Sequence, residues 1–273
     1  MSTDPATVGV VGEQMTTIRT ERVGEVIVAT IDHPDSRVNA VDARLHHDLG
    51  ELFRTLKQEG SARAVVLTGS GAAFSAGGDM GWFPQLRSVE AAHALRREAK
   101  QLIWDLLDVE IPIVCGLNGS AAGLAASVTL LCDVVVMADR AKIVDPHVLV
   151  GLVAGDGGAA IWPLLVGPLV AKRHLMLGDP IDAAAAERYG IAAEVCPADQ
   201  VSERAMAWAE RLAAGAPLAV QGTKLAVNQQ LKRALLDSFD LSTALEIPCF
   251  FSDDHAEAVS AFGEKRPARF TGR

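Results

Sequence analysis

The chain has no long run of lysine and arginine. Its 25 basic residues stand against 34 acidic ones, a formal charge of −9, and that balance argues against nucleic acid as a main partner. There is also no stretch of about 18 consecutive apolar residues, and the start, Met1-Ser2-Thr3-Asp4-Pro5, has no basic region followed by an apolar run. No membrane partner is therefore expected. The C-x-x-C spacing of metal and redox sites is missing as well. Cys115, Cys132, Cys196 and Cys249 lie far apart among mostly apolar neighbours, the pattern of buried free thiols in a reducing compartment. The expectation is a cytoplasmic protein with no disulfide and no metal site.

At 273 residues the chain suffices for one large domain, or for a domain with an appendage. Apolar residues make up 49% by a count that omits the 24 glycines. Apolar surface beyond the needs of a core points to subunit contacts.

Residues 1–14 are polar and aperiodic and read as a loose tail. Thr17 to Thr20 and Glu25 to Ile31, joined at Val23-Gly24, alternate as an antiparallel hairpin does. A turn-rich link, Asp35 to Ala40, leads to a helix starting near Asp42, with Leu45, Leu49, Leu52, Phe53 and Leu56 on one face. His46 and His47 are placed off that face, as a solvated pair. Ala64 to Thr68 is a short buried strand, followed by the glycine-dense run Gly69 to Met80, where backbone can approach a ligand closely. Ser88 caps a long helix to about Leu107. Further helices are expected over Gly157 to Leu165, Leu169 to Leu177 and Asp182 to Tyr189, with a last strand at Ala193 to Val195. From Asp199 to Phe262 the pattern is helical. The expected division is a core over 15–198 and an all-α appendage over 199–273, the oligomerisation segment.

The stretch Asn118 to Gly158 organises the rest. A buried strand, Ile111 to Leu117, turns at Asn118-Gly119 and runs through small residues into an apolar segment; a second strand, Val134 to Met137, leads to Asp145-Pro146-His147 and a glycine-rich loop ending Gly155-Asp156-Gly157-Gly158. A strand that opens a helix through small residues leaves free N–H groups facing a ligand, and these favour negative charge. An imidazole and a carboxylate follow, so an anion-stabilising turn and an acid/base pair stand close in sequence. The simpler alternatives are that His147 bonds a loop carbonyl and that Asp156 caps the next helix.

The ordered set His33-Pro34, Arg37, Asn39-Ala40, Phe74-Ser75-Ala76-Gly77-Gly78-Asp79, Asn118 to Gly123, Cys132-Asp133, Asp145-Pro146-His147, Gly155 to Gly158 and Phe262 to Arg266 resembles the enoyl-CoA hydratase/isomerase (crotonase) superfamily. The resemblance covers nearly the whole chain. It implies an α/β fold, a crotonase-like spiral of ββα units with C-terminal helices that form a homotrimer or hexamer. It implies an acyl-CoA small-molecule substrate, with coenzyme A as part of the substrate and no tightly bound cofactor. It also implies a thioester enolate held by the backbone N–H groups of Gly78 and Leu124. Fixed donors aimed at charge that develops only in the transition state lower the barrier selectively.

The departures lie in the acid/base groups. Where hydratases of the family carry two glutamates, the matched positions hold Ser127 and His147. A serine cannot replace a carboxylate as general base. His147, with an intrinsic pKa near neutrality, is the candidate proton-transfer group. The resemblance puts Asp156 where some divergent members place a functional aspartate that can orient a histidine. By the same resemblance Arg37, Ala76, Phe250 and Lys265 stand where coenzyme A is bound, and Trp82, Phe83 and Ser127 where the acyl pocket is lined. Trp162 reads as core, and Glu246 as a surface ion pair or a third catalytic group. Two alternatives to enoyl-CoA chemistry stay open: hydrolysis of a carbon–carbon bond in a β-dicarbonyl compound, and a silent acyl-CoA-binding or assembly subunit.

Overall fold

Alternation at the start of the chain produces a hairpin: β1 (Ile18–Val23) pairs antiparallel with β2 (Val26–Ile31), and the turn passes through Gly24 at φ 60°, a left-handed conformation that strains any side chain. The structure, a computed structural model, describes residues 15–273; the expected tail lies outside the described residues. α1 (Ala43–Leu56) is capped by Asp42, whose carboxylate accepts from the N–H groups of Arg44 and Leu45, and its leucine face is buried. The chain then returns through β3 (Ala64–Gly69), parallel to β2. α2 (Val89–Asp108) has Ser88 as its cap, accepting from Ala91 N–H, and leads to β4 (Ile113–Leu117), buried throughout and parallel to β3.

Two residues of β5 (Ala121–Ala122) precede α3 (Leu124–Leu131), and β6 (Val134–Ala138) continues the parallel sheet beside β4. β7 (Lys142–Val144), α4 (Gly158–Val166), α5 (Pro168–Leu177), β8 (Ile181–Asp182), α6 (Ala183–Arg188) and β9 (Glu194–Cys196) complete this part. The main sheet runs β1-β2-β3-β4-β6-β9, and β5-β7-β8 form a smaller second sheet. Parallel order from β2 onward requires crossovers, and helices supply them.

The helices after residue 199 are not an appendage. α7 (Val201–Ala213) buries Val201, Ala205, Ala209 and Ala213, four residues apart, against β3, β4 and β6. Ala205 sits so close to Gly116 that a Cβ there would lie 3.3 Å from its own. α8 (Pro217–Cys249) packs on α2 and α4. Lys224 pins it by donating to Ile111 O at 3.0 Å and pairing with Asp133 at 2.7 Å, and Asn228 donates to Leu107 O at 3.0 Å. α9 (Asp253–Gly263) follows, capped by Ser252. Among the described residues no helix is long and apolar enough to cross a membrane. Leu218, Val227, Leu236, Leu241 and Leu245 of α8 remain exposed.

Two sequence expectations are corrected here. His46 is 4% exposed, with Nδ1 3.5 Å from Glu98 and its ring against Trp82; only His47 is solvated. On a helical wheel His46 falls about 20° from Phe53, so the apolar face of α1 includes it. All four cysteines are free, but Cys132 and Cys249 are only partly buried.

Candidate active site

Two asparagines fix the loops that form the site. Asn39 accepts from His33 N–H and donates to the carbonyls of Ser70, Ala73 and Phe74. Asn118 accepts from Gly69 N–H at 3.1 Å and donates to Gly71 O at 3.1 Å. The glycine-dense run is thereby drawn alongside β5, with Ser75 N–H donating to Ser120 O and Ala122 N–H to Ser75 O. Around Gly78 the N–H groups of Ala76 and Asp79 are taken up by Val38 O and Val41 O. Among the described residues the N–H of Gly78 has no acceptor, and neither has that of Leu124, the first residue of α3, as a first-turn position leads one to expect. Both residues line one cavity of about 880 Å³. Phe83 packs against Gly78 so tightly that a Cβ there would come within 2.6 Å of its ring.

The same cavity is lined by His147, Asp156 and Glu246. His147 opens a single 3₁₀ turn, His147–Val150, after Pro146. Its Nδ1–H donates to Asp145 Oδ1 at 2.6 Å, and its Nε2 lies 3.6 Å from Asp156 Oδ2 and 3.8 Å from Glu246 Oε1. Asp156 is braced from behind by the Ser127 hydroxyl, which donates at 3.4 Å. Glycines make room for the carboxylates: a Cβ on Gly155 would overlap Glu246, and one on Gly158 would overlap Asp145. Gly123, at φ 54°, faces His147 and Asp156.

Burial opposes charge on His147, but Asp145, Asp156 and Glu246 outweigh it and hold the imidazole pKa well above its usual value. The resting group is therefore the imidazolium, and the expectation of titration near neutrality is corrected. Burial raises Asp156, offset in part by His147. Burial also raises Glu246, to about 8, with His147 opposing. Three carboxylates around one cation thus share fewer negative charges at neutral pH than their number suggests. Donor atoms of Asp145, His147 and Asp156 lie within 4.8 Å of one another, close enough to hold a cation. An imidazolium, protonated on both nitrogens, offers such an ion no lone pair.

His147 bonds a carboxylate rather than a loop carbonyl, and the N-cap of α4 is Gly157 rather than Asp156. Ala76, Trp82, Phe83 and Phe250 line the cavity. Phe250 is buried among Leu86 and Leu152 of its own chain. Ser127 is fully buried behind Asp156 and does not line the cavity, which corrects its placing on the pocket wall. Arg37 and Lys265 are exposed and stand outside the lining; Arg96 and Arg266 line it instead, paired with Asp240 and with Glu257 and Glu264. Trp162 is core. Sequence reasoning gave Asp145 no role and ranked Glu246 low. The signal for Glu246 was present: Phe239, Ser242, Thr243 and Glu246 recur at helical spacing along α8, and Phe250, its C-cap, continues the series.

The sequence model of the enoyl-CoA hydratase/isomerase family matches residues 21–273. The chain belongs to that family. A Rhodobacter capsulatus protein named "Probable enoyl-CoA hydratase" is 34% identical over 257 residues, covering 94% of this chain and 98% of its own length. The crystal structure of an enoyl-CoA hydratase/isomerase from Mycobacterium paratuberculosis superposes with a TM-score of 0.87 at 35% identity, over 91% of this chain and 99% of that one. A β-diketone hydrolase from the cyanobacterium Anabaena superposes at 0.81 with 26% identity, over 86% and 94%. The enoyl-CoA hydratase/isomerase family thus accounts for the ββα order of the main sheet and for the helical carboxy-terminal segment. Within this family member the titratable side chains that meet in the cavity region are those of His147, Asp145, Asp156 and Glu246.

Proposed function

We propose that this hydratase/isomerase-family enzyme binds an acyl-CoA thioester, or a closely related carbonyl compound, and holds its enolate between the N–H groups of Gly78 and Leu124. His147 transfers the proton. The observation that supports this most is the meeting of two free backbone donors and a carboxylate-held imidazolium in one cavity. An enolate oxygen carries charge that the ground-state carbonyl lacks, so both donors act selectively on the transition state. Asp145 fixes the ring through Nδ1, which leaves Nε2–H to give its proton to the enolate carbon. Asp156, raised by burial, is a stronger base than a solvated carboxylate and can take the α-proton whose loss forms the enolate. Coenzyme A would enter along Ala76, with Arg37 and Lys265 near its phosphates.

A second reading, hydrolysis of a carbon–carbon bond in a β-dicarbonyl compound, is favoured by the position of Ser127. Its hydroxyl supports Asp156 instead of supplying a second carboxylate, so the site has Asp156 as the base to activate a water and the His147 imidazolium as the acid to protonate the departing carbon, but lacks the glutamate pair of a standard hydratase. A structural neighbour is a β-diketone hydrolase. Turnover of crotonyl-CoA against turnover of a cyclic β-diketone separates the two readings. In either case His147→Ala should lower kcat by about 10²–10⁴, and a wild-type rate in that variant would remove His147 from both.

A further inference from the structure

We propose that His255 is a positioning residue that keeps the two halves of the site in register, the turn carrying His147 and the glycine-dense loop carrying Gly78. The proposal rests on the roles given to those two residues above. His255 lies in the first turn of α9, outside the cavity lining, and is 1% exposed. Its Nδ1–H donates to Val150 O at 2.7 Å, and Val150 ends the 3₁₀ turn that His147 begins. Backbone meets backbone at the same place. Gly151, at φ 70°, follows the turn, and a Cβ on it would stand 3.1 Å from His255 N and 3.2 Å from its Cα.

On its other side the His255 ring meets Phe83 and Phe250 edge-on, with centroids 5.6 and 5.4 Å away. Phe83 is the ring that fills the space beside Gly78. One imidazole therefore reaches the acid/base turn through a hydrogen bond and the oxyanion donor through an aromatic contact. Ser252 holds it in place by accepting His255 N–H at 3.0 Å. Its Nε2 has no partner among the described residues, and a buried nitrogen without a partner costs stability. Packing alone would be served better by an apolar side chain, which leaves the Val150 bond as the reason for a polar one. Burial lowers the pKa of His255, which keeps the neutral ring whose Nδ1–H makes that bond.

The test compares His255→Phe with His174→Phe. His174 is a matched control: it is also buried, donates from Nδ1 to a backbone carbonyl, Asp179 O at 2.8 Å, and has an unpartnered Nε2, but it packs against Trp162 and Tyr189. Both variants lose one buried bond and should lose similar thermal stability. The His147 ring signals are followed by NMR across pH in histidine-labelled protein. His255→Phe should move the His147 midpoint and lower kcat by about 10–100-fold at little-changed KM, the usual consequence of a small misplacement. His174→Phe should do neither. His255→Asn, whose amide N–H can replace Nδ1–H, should recover most of the loss. His147 signals in His255→Phe that match those in His174→Phe overturn the proposal. Should His255→Phe fail to fold, Ser252→Ala should shift the same signals by freeing the His255 backbone, and unchanged signals there overturn it equally. The NMR readout needs no turnover, so failure of the acid/base role, seen as a wild-type rate in His147→Ala, is distinguishable from failure of this inference.

Discussion

Replacing Glu246 by glutamine should make the folded protein more stable at neutral pH, and the size of the effect follows from its surroundings. The carboxyl lies beside Asp156 and Asp145, and its pKa rises from 4.5 to about 8. A carboxyl raised on folding holds its proton more tightly in the folded state. Its contribution is fully present below 4.5 and is lost as pH climbs through about 8. At pH 7 the unfolded group has passed its pKa by about 2.5 units, at about 1.4 kcal/mol each. The folded group is still mostly neutral. The penalty is therefore about 3 kcal/mol, and glutamine, neutral in both states, removes it. In a chain of this size that corresponds to a rise of about 6–12 °C in melting temperature at pH 7. The two proteins should nearly coincide at pH 4.5. The raised pKa of His147 also contributes, with stability that is full below 6.5 and lost as pH passes the folded value. The comparison is therefore between the two proteins at each pH. A Glu246→Gln variant that melts with wild type at both pH values would refute a neutral, buried Glu246.

Asp156→Asn removes a negative neighbour and should lower the pKa of His147. If the imidazolium is the acid, the alkaline limb of the pH–rate profile should move to lower pH; a limb that stays in place would count against the pair. Gly123→Ala meets no overlap, since its Cβ would lie 3.5 Å from His147 Cε1, but φ 54° with ψ −125° strains it by about 1–3 kcal/mol. The variant should fold and lose rate, and a wild-type rate would show that the entry to α3 is not critical. The exposed leucines and valine of α8 lead us to propose an assembly of three or six chains. Sedimentation of a stable monomer at micromolar concentration would exclude it.

Local signals carried the fold's larger elements. The hairpin of β1 and β2 and the caps Asp42, Ser88 and Asp182 lie where alternation and hydroxyl or carboxylate side chains placed them. β5, β7 and β8 have two or three residues each, too few for a period to register. α7 read as part of an appendage because small alanines, not large apolar residues, bury it. In the candidate site, the matched positions singled out His147 and Asp156, and both line the cavity. Asp145 was not, because nothing local marks a carboxylate that folds back two residues onto an imidazole. Glu246 stands far along the chain, 99 residues after His147, and only tertiary packing brings α8 over the cavity.

Deuterium exchange at the α-carbon of an acyl-CoA thioester, followed by NMR in D₂O, tests the central claim most directly because it reports enolate formation before any later step. The wild-type protein should incorporate deuterium. Gly78→Pro, which removes one donor, should slow incorporation by about 10²–10³, and His147→Ala by about 10²–10⁴. Exchange at the wild-type rate in both folded variants would contradict an enolate held by the Gly78 N–H and protonated by His147.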